Sequence, residues 1–366
     1  MELNISNLWP QLQRKVDTMI EQIGSKSPHV EKEGVYDDAR LDWWTSGFWP
    51  GLLWIMYDVS QEDKYRQQAW DWDAKIEACF LRENNFHHDV GFQFLPTAVA
   101  KYKMTGDQDG RRRGLHAANF LAGRFNQAGQ FLRAWNQDKH GWAIIDSSLN
   151  LSLLLWAAEE LGDPRLKQIA MAHADTVLEH FIRDDGSVCH IVSFDPDTGA
   201  FIEALGGQGF SPTSAWSRGQ SWALHGLANV YRYTGESRYL AAAKRVAHYF
   251  MANTTVDPIP LWDFRTGDAD LKLKDTSAAA CAASGLLEIA SLVPAEEADL
   301  YRNQAIRIMD ALTQDYADLD GSRESILREG TGHKPAGQNV NVGLIYGDYY
   351  YIEAAAKLKN WTQRIF

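Results

Sequence analysis

The sequence has few of the features that mark secreted, membrane-bound or nucleic-acid-binding proteins. Its 366 residues include only three cysteines, Cys79, Cys189 and Cys281, which are widely spaced and form no CxxC pair. A sparse, odd set is typical of a reducing compartment and not of a disulfide framework. The N-terminus, MELNISNLWPQLQRKV, has no basic segment followed by an apolar run, so we expect no signal peptide and a cytoplasmic protein.

Charge and hydropathy exclude two further classes of partner. No stretch approaches the ~18 uninterrupted apolar residues of a membrane span. The net charge is −12 and long basic runs are missing, so we expect no nucleic-acid partner. Aromatic residues, by contrast, are abundant, with 14 Trp, 14 Tyr and 15 Phe. Some of these rings must form the core, but a flat apolar face also suits stacking against a sugar ring.

A pair of helical segments recurs along the chain. The first member is apolar and rich in small residues, and the second is a charged amphipathic helix introduced by a turn such as TGD, LGDP or TGES. The apolar segments are 47–57, 91–104, 147–160, 219–233, 276–292 and 348–358. The amphipathic segments are 8–23, 63–81, 108–125, 163–181, 237–251 and 296–315.

These six pairs predict an all-α fold, an (α/α)6 barrel of six inner and six outer helices that forms one catalytic domain over residues 1–366. Repeats that cannot bury their apolar faces alone must stack on their neighbours, and closing the ring removes the exposed ends. An open helical solenoid is the alternative, but the inner segments are too apolar to line an open groove. Strand signals are scarce, apart from a small hairpin at 187–194.

The barrel predicts where the chemistry lies. Its inner helices share one direction, so their N-termini meet at one mouth, and loops on a rigid scaffold are where sites are usually built. The segments that enter the inner helices are rich in polar and aromatic residues: 43–46 (WWTS), 87–89 (HHD), 142–146 (WAIID), 208–218, Asp275 and 346–348 (YGD).

Three aspartates stand at equivalent places, directly before inner helices: Asp89, Asp146 and Asp275. A helix N-cap explains all three without any catalytic function. The aromatic neighbours of Asp89 and Asp146, among them Trp135 and Trp142, favour chemistry for these two. Burial against aromatic rings raises the pKa of a carboxyl group towards the range that a general acid needs. Paired carboxyl groups are also the usual equipment for cleaving glycosidic bonds.

One basic residue stands out near the start of the fourth inner helix. Arg218 lies between Trp216 and Trp222 in QGFSPTSAWSRGQSW, where it can hold a carboxylate, or can pair structurally with an aspartate at the mouth. His88 and His190 suit a proton relay or a pair of metal ligands. The absence of HxxxH, HxH and Cys/His spacings predicts no metal. There is no GxxxxGK[ST] or GxSxG motif, and no GxGxxG in a strand-to-helix context.

Six blocks, taken in order, resemble the unsaturated glucuronyl hydrolases of glycoside hydrolase family 88. They are WWTSGFWPGLLW, HHDVGF, AIIDSSLNLSLLLWAAEE, SAWSRGQSWALHG, TGHKPAG and LIYGDYYYIEA, and they run from Trp43 to near the C-terminus. The unsaturated rhamnogalacturonyl hydrolases share the barrel and part of the layout. The SRGQSW block and the IYGDYYY ending resemble the glucuronyl group more.

The resemblance implies an (α/α)6 barrel that uses no cofactor or metal and acts on an oligosaccharide with a 4,5-unsaturated uronic acid at its non-reducing end. A proton goes to C4, water adds at C5, and the hemiketal opens and expels the next sugar. Asp146 matches the general acid/base, and Asp89 the second essential aspartate. Other positions resemble substrate-contacting residues: Trp43 (with Trp44 as a register alternative), His88, Trp135, His190, Gln208, Arg218 and Trp222. Arg218 or Gln208 would hold the substrate carboxylate.

Alternatives remain open at this point. The rhamnogalacturonyl reaction is the nearest one, followed by a sugar epimerase on the same barrel and by a non-catalytic sugar-binding protein. Candidates for contacting the next sugar are the loop 330–337, with His333 and Lys334, and Arg265. The expected partner is an unsaturated di- or oligosaccharide, with no nucleic acid and no membrane, and we expect a monomer or homodimer.

Overall fold

The computed structural model describes residues 4–366, apart from the side chain of Asp268, so the first three residues of the predicted domain lie outside the described part. The helices are α1 (Ile5–Ile23), α2 (Phe48–Ser60), α3 (Asp63–Ala69), α4 (Trp72–Glu77), α5 (Val90–Phe94), α6 (Ala100–Thr105), α7 (Gln108–Ala122), α8 (Ser147–Leu161), α9 (Pro164–Thr176), α10 (Ser217–Thr234), α11 (Ser237–Ala252), α12 (Thr276–Leu292), α13 (Ala295–Ala311) and α14 (Ile345–Leu358). None of the described helices has the length and apolar character needed to cross a membrane.

Several predicted helices are built from more than one segment. A π-helical turn, Leu95–Val99, joins α5 to α6 into one inner helix, and similar turns extend two outer helices, at Val177–Phe181 after α9 and at Leu312–Tyr316 after α13. A 3₁₀ turn, Ala78–Leu81, extends α4, which itself continues α3. Counted this way, the described residues form six inner and six outer helices.

The inner helices form a closed ring. In order around it lie α2, α5–α6, α8, α10, α12 and α14, and α14 packs against α2. This contact excludes the open solenoid and confirms the predicted (α/α)6 barrel. Small residues allow the close packing: a Cβ on Gly285 of α12 would lie 2.5 Å from Leu224 Cδ1 and 3.1 Å from His225 Cα, both in α10.

Nine short strands decorate the barrel within the described residues: β1 (Val30–Lys32), β2 (Val35–Tyr36), β3 (Phe125–Asn126), β4 (Phe131–Leu132), β5 (Trp142–Ile144), β6 (Ile191–Phe194), β7 (Phe201–Leu205), β8 (Gly330–His333) and β9 (Gln338–Leu344). They pair antiparallel into three sheets, in the orders β2-β1-β9-β8, β3-β4 and β5-β6-β7. The predicted hairpin is β6–β7, whereas the predicted loop at 330–337 contains β8 and a 3₁₀ turn, Lys334–Ala336, that leads into β9.

At the end of the ring opposite the inner-helix N-termini, a buried carboxylate in α12 gathers three cations. Glu288 lies 3.3 Å from Lys357 Nζ of α14, 2.5 Å from Arg232 Nη1 of α10 and 2.6 Å from Arg364 Nε. Burial alone would raise the pKa of Glu288, but the three cations outweigh it and hold that pKa well below its usual range. The cluster therefore ties three adjacent inner helices to the C-terminal segment.

We expect Glu288→Gln to lower the free energy of unfolding by about 3 kcal/mol or more, because it leaves buried cations without their anion. Urea titration at neutral pH measures this loss. The control is Glu159→Gln, which changes an exposed residue near the C-terminal end of α8. Because the pKa of Glu288 is lower in the folded than in the unfolded chain, the wild-type advantage is complete above its ordinary value of 4.5 and shrinks as the pH falls through the lowered folded pKa. Equal stabilities of Glu288→Gln and wild type at neutral pH would contradict this role.

Candidate active site

A cavity of about 250 Å³ opens at the predicted mouth of the barrel. Its lining combines histidines, carboxylates and aromatic rings: His29, Trp43, Trp44, His87, His88, Asp89, Trp135, Ile144, Asp146, His190, Gly207, Gln208, Arg218, Gly332, His333, Gln338, Asn339 and Tyr346. A larger surface groove, of about 740 Å³, lies beside Asp318 and Arg323, but no aromatic residue lines it. The paired carboxylates and the aromatic walls make the cavity at the mouth the candidate active site.

The three aspartates that precede inner helices divide into two kinds. The Asp275 carboxylate accepts hydrogen bonds from the N–H groups of Ser277 (3.1 Å) and Ala278 (3.4 Å), so it is a true N-cap. Asp89 and Asp146 hold the same position before α5 and α8, but in the part of the chain that the structure describes neither side chain caps its helix. Capping therefore explains Asp275 and leaves both cavity carboxylates available for other work.

The immediate partner of Asp89 is an imidazole. His88 Nδ1 donates to the Ala134 carbonyl at 2.8 Å, and His88 Nε2 lies 3.1 Å from Asp89 Oδ1. With Nδ1 already protonated, an ionised Asp89 requires a second proton on Nε2, so the pair is an imidazolium and a carboxylate. Burial alone would lower the pKa of His88, but the Asp89 charge outweighs it and raises that pKa.

For Asp89, the predicted upward shift of the carboxyl pKa is wrong. Burial alone would raise it, but His88 and the amide of Asn150 hold the pKa of Asp89 below its usual range. His87 itself is neutral, because burial lowers its pKa to about 3. Asp89 is thus a permanent anion at neutral pH, suited to stabilising positive charge and not to donating a proton.

Asp146 has a different environment. Its Oδ2 atom is buried and accepts no hydrogen bond within residues 4–366. His190 Nε2 lies 3.6 Å from this oxygen. His190 Nδ1 accepts from the Gln208 N–H at 2.8 Å, which places the proton of a neutral imidazole on Nε2, facing Asp146. Asp146 therefore keeps an oxygen atom on which a proton can come and go.

Arg218 belongs to the wall of the cavity. It is 1% exposed, forms an ion pair with Asp275, and donates to the carbonyls of Thr331 and Gly332 at 2.6 Å each. Its guanidinium also lies 5.3 Å from the centre of the Tyr346 ring. Of the two interpretations drawn from the sequence, the geometry matches the structural ion pair, because both terminal nitrogens of Arg218 are engaged within the protein.

One group of donors in the cavity has the composition of a metal site. Atoms of His87, His88 and Asp89 lie within 4.8 Å of one another, the one such group found among the described residues. The direct contact of His88 with Asp89 and the hydrogen bond from Asn150 to Asp89 already engage one of the carboxylate oxygens. A metal-free site remains a prediction.

Comparison with known proteins decides the family. Residues 15–366 match the model of Glycosyl Hydrolase Family 88. The chain belongs to this family. It is 36% identical over 361 residues to an unsaturated glucuronyl hydrolase of Bacillus sp. strain GL1, covering 94% of this chain and 95% of that protein. It is 34% identical over 360 residues to an unsaturated chondroitin disaccharide hydrolase of Streptococcus pyogenes serotype M1, covering 96% and 90%.

Solved structures of family members have the same fold. The crystal structure of the Bacillus sp. GL1 enzyme superposes with a TM-score of 0.91 at 34% identity, covering 95% of this chain and 96% of that one. The structure of a mutant unsaturated glucuronyl hydrolase from Streptococcus agalactiae, complexed with dGlcA-GalNAc6S, superposes with a TM-score of 0.86 at 27% identity, covering 100% and 95%. The family resemblance drawn from the six sequence blocks is confirmed.

This member of the family brings most of the predicted site residues together. Eight of the nine line the cavity: Trp43, His88, Asp89, Trp135, Asp146, His190, Gln208 and Arg218. Trp44 lines it as well, so both register alternatives contact the cavity. Trp222 does not: it is fully buried beneath the cavity, with its ring 5.2 Å from Phe92 and 5.5 Å from Tyr350.

The residues that the sequence reasoning missed come from segments whose structure it did not predict. Tyr346 lies in the first turn of α14, which starts three residues before the predicted segment 348–358. His29 precedes β1, and Asn339 lies in β9, the strand that pairs with β1 at the mouth. For Tyr346 the sequence does offer a signal, because the YGD triplet at 346–348 is among the segments predicted to lie at this mouth.

Replacing the two kinds of aspartate should change the stability of the protein by very different amounts. Asp275→Ala removes a helix cap and the partner of a buried arginine, so we expect it to lower the free energy of unfolding by about 3–5 kcal/mol. The matched variant Asp146→Ala removes no cap, so we expect a change of less than about 1 kcal/mol. Urea titration of both variants measures the difference, and similar losses for the two would mean that Asp146 is also a structural residue.

Proposed function

We propose that this chain is an unsaturated glucuronyl hydrolase that removes the 4,5-unsaturated uronic acid from the non-reducing end of lyase-generated oligosaccharides. The proposal rests on the pair Asp89 and Asp146. Their carboxylates cap no helix and lie in one cavity with aromatic walls. One is a permanent anion, and the other has an oxygen without a hydrogen bond. An acid/base group and an anion are what hydration of an enol ether requires.

The reaction begins at the double bond. Asp146, in its protonated form, transfers its proton to C4, and positive charge develops at C5 and the ring oxygen. The ionised Asp146 then accepts a proton from the water that attacks C5, which restores the acid and yields a hemiketal. When the hemiketal opens, C5 becomes a ketone. The resulting hemiacetal at C1 releases the next sugar with its glycosidic oxygen, and one water is consumed.

The remaining cavity residues have supporting roles in this proposal. Asp89, held anionic beside His88, stabilises the positive charge and accepts hydrogen bonds from ring hydroxyls. Trp43 and Trp135 supply apolar faces for the sugar rings. His190, with Nε2–H facing the cavity, is a donor close to Asp146.

The carboxylate of the substrate needs a positive environment. The guanidinium of Arg218 supplies charge from the wall, although its terminal nitrogens are engaged within the protein. Gln208, whose Nε2 donates to the Gly332 carbonyl at 2.9 Å, lies beside it and is our candidate for direct contact. Trp222 packs against Phe92 and Tyr350 in the barrel core and, in this proposal, does not touch the sugar.

Glycosaminoglycan fragments are our preferred source of the substrate. The S. pyogenes relative is named for chondroitin disaccharides, and the S. agalactiae complex contains dGlcA-GalNAc6S. Of the candidates for contacting the next sugar, His333 lines the cavity. Lys334 pairs with Asp270 at 3.2 Å, and Arg265 forms an ion pair with Asp185, outside the cavity lining. The cytoplasmic location and the monomeric or dimeric state remain predictions.

We expect wild type to bleach the ultraviolet absorbance of unsaturated chondroitin or hyaluronan disaccharides, and Asp146→Asn to lose about 10²–10⁴-fold in rate, because an amide cannot supply the proton. The control is Asp138→Asn, which changes an exposed loop residue close to Trp135 in the sequence and should keep full activity. A rate for Asp146→Asn near that of wild type would refute the acid/base assignment.

A panel of disaccharides separates the remaining alternatives. Unsaturated chondroitin, hyaluronan, heparin and rhamnogalacturonan disaccharides are compared by initial rate. Faster turnover of the rhamnogalacturonan product would replace the proposal with the related activity. Binding without loss of the double bond would indicate a sugar-binding protein, and a change of configuration without cleavage would indicate an epimerase.

A further inference from the structure

A buried amide connects the two cavity aspartates. Asn150 lies one helical turn after Asp146 in α8, so both side chains lie on the same side of that helix. Its Nδ2 atom donates to Asp89 Oδ1 at 3.2 Å and to the Asp146 carbonyl at 3.4 Å. The residue is fully buried. It is therefore a single side chain in contact with both catalytic positions, which come from different inner helices.

We propose that Asn150 is a positioning residue, whose carboxamide holds the Asp89 carboxylate in a fixed place relative to Asp146. This role rests on the proposed function.

The packing of the two helices is adapted to this amide. A Cβ on Gly91, two residues after Asp89, would lie 2.3 Å from Asn150 Oδ1 and 2.7 Å from Asn150 Cα. Such distances are shorter than van der Waals contact, so only glycine lets α5 approach α8 closely enough for the amide to reach Asp89. The HHDVG and DSSLN segments thus fit together as a pair.

The orientation of the amide follows from its partner. With the carboxamide reversed, its oxygen would face the anionic Asp89 oxygen, and two acceptors in contact repel each other. In the orientation observed, Asn150 Oδ1 is buried and accepts no hydrogen bond within residues 4–366. Burying this acceptor without a partner lowers the stability of the fold. A purely structural role therefore does not explain why an asparagine lies here.

The contact also determines which oxygen of Asp89 remains for the substrate. Asn150 donates to Oδ1, and His88 Nε2 lies 3.1 Å from the same atom, whereas Oδ2 has His87 Nδ1 as a neighbour at 3.6 Å. His87 is neutral, and its Nδ1 accepts from the Asp89 N–H at 3.4 Å, so it offers no proton to Oδ2. The Asn150 hydrogen bond and the His88 contact on Oδ1 therefore fix the carboxylate, and Oδ2 remains available for the sugar.

Several other titratable or charged groups surround the two carboxylates. They are His87 and His88 from the same loop as Asp89, Arg124 after α7, His190 before β6, and Arg218 from α10. The change tested below alters none of these groups, so a shift of the pH profile reports on the amide itself.

The test compares Asn150→Ala with Ser152→Ala, which removes a buried hydroxyl without a hydrogen-bond partner from the same helix. We expect Asn150→Ala to fold and to lose about tenfold or more in kcat, because misplacing a catalytic group has effects of this size. The amide stabilises ionised Asp89, so its loss should also move the acidic limb of kcat/KM to higher pH. Ser152→Ala should change neither kcat nor the pH profile.

Asn150→Asp serves as a second, nearly isosteric variant should Asn150→Ala fail to fold. Its added carboxylate faces Asp89, so the acidic limb should move up by about one pH unit or more. Unchanged kcat, or an acidic limb that coincides with that of wild type, would overturn the positioning role. Wild-type turnover is measured first on the unsaturated disaccharide: if wild type is inactive, the proposed function fails, whereas failure confined to the variant comparison refutes only the inference about Asn150.

Discussion

The cavity depends on the buried ion pair between Arg218 and Asp275. These two side chains join adjacent inner helices, α10 and α12, at the mouth of the barrel. Arg218 also donates to two carbonyls of β8, so the strand that forms one wall is attached to the helical ring. An ion pair without solvent is stable only when its remaining donors and acceptors are satisfied, and here backbone groups satisfy them. The wall is thus rigid before any sugar binds.

Asp275 both caps α12 and pairs with Arg218, whereas neither Asp89 nor Asp146 caps the helix that follows it. Asp348 is the second structural member: it accepts from Tyr36 and from the N–H groups of Ile326 and Leu327, and burial raises its pKa to about 7. The same residue type, at similar places in the repeat, therefore serves two purposes. The partners of each aspartate decide which purpose applies, and of these four aspartates Asp89 and Asp146 line the cavity.

Much of the fold followed from the sequence because it depends on local patterns. Apolar segments rich in small residues alternate with amphipathic ones, and that regularity alone predicted both rings of the barrel. The short strands at the mouth were missed because β8 pairs with β9 across a turn, and β9 pairs with β1 from the other end of the chain. Long-range pairing of this kind leaves little local signal.

The site was predictable in composition but not in detail. Sequence placed Asp89, Asp146 and Asp275 at helix starts, yet which of them bonds its own helix N–H groups depends on side-chain geometry. The predicted role of Trp222 rested on resemblance alone, and its ring proved to be buried in the barrel core. Likewise, the aromatic neighbours of Asp89 suggested a raised pKa, whereas its charged partner His88 dominates.

The central claim is that the enzyme hydrates the ring double bond, with a proton added at C4, and the isotope content of the product tests it most directly. Unsaturated disaccharide is turned over in D2O and examined by NMR at low conversion, before hydrogens beside the new ketone exchange. We predict one deuterium at C4, added to a single face, as the vinyl signal disappears. Release of the free sugar with the double bond intact and no deuterium at C4 would contradict hydration and indicate displacement at C1.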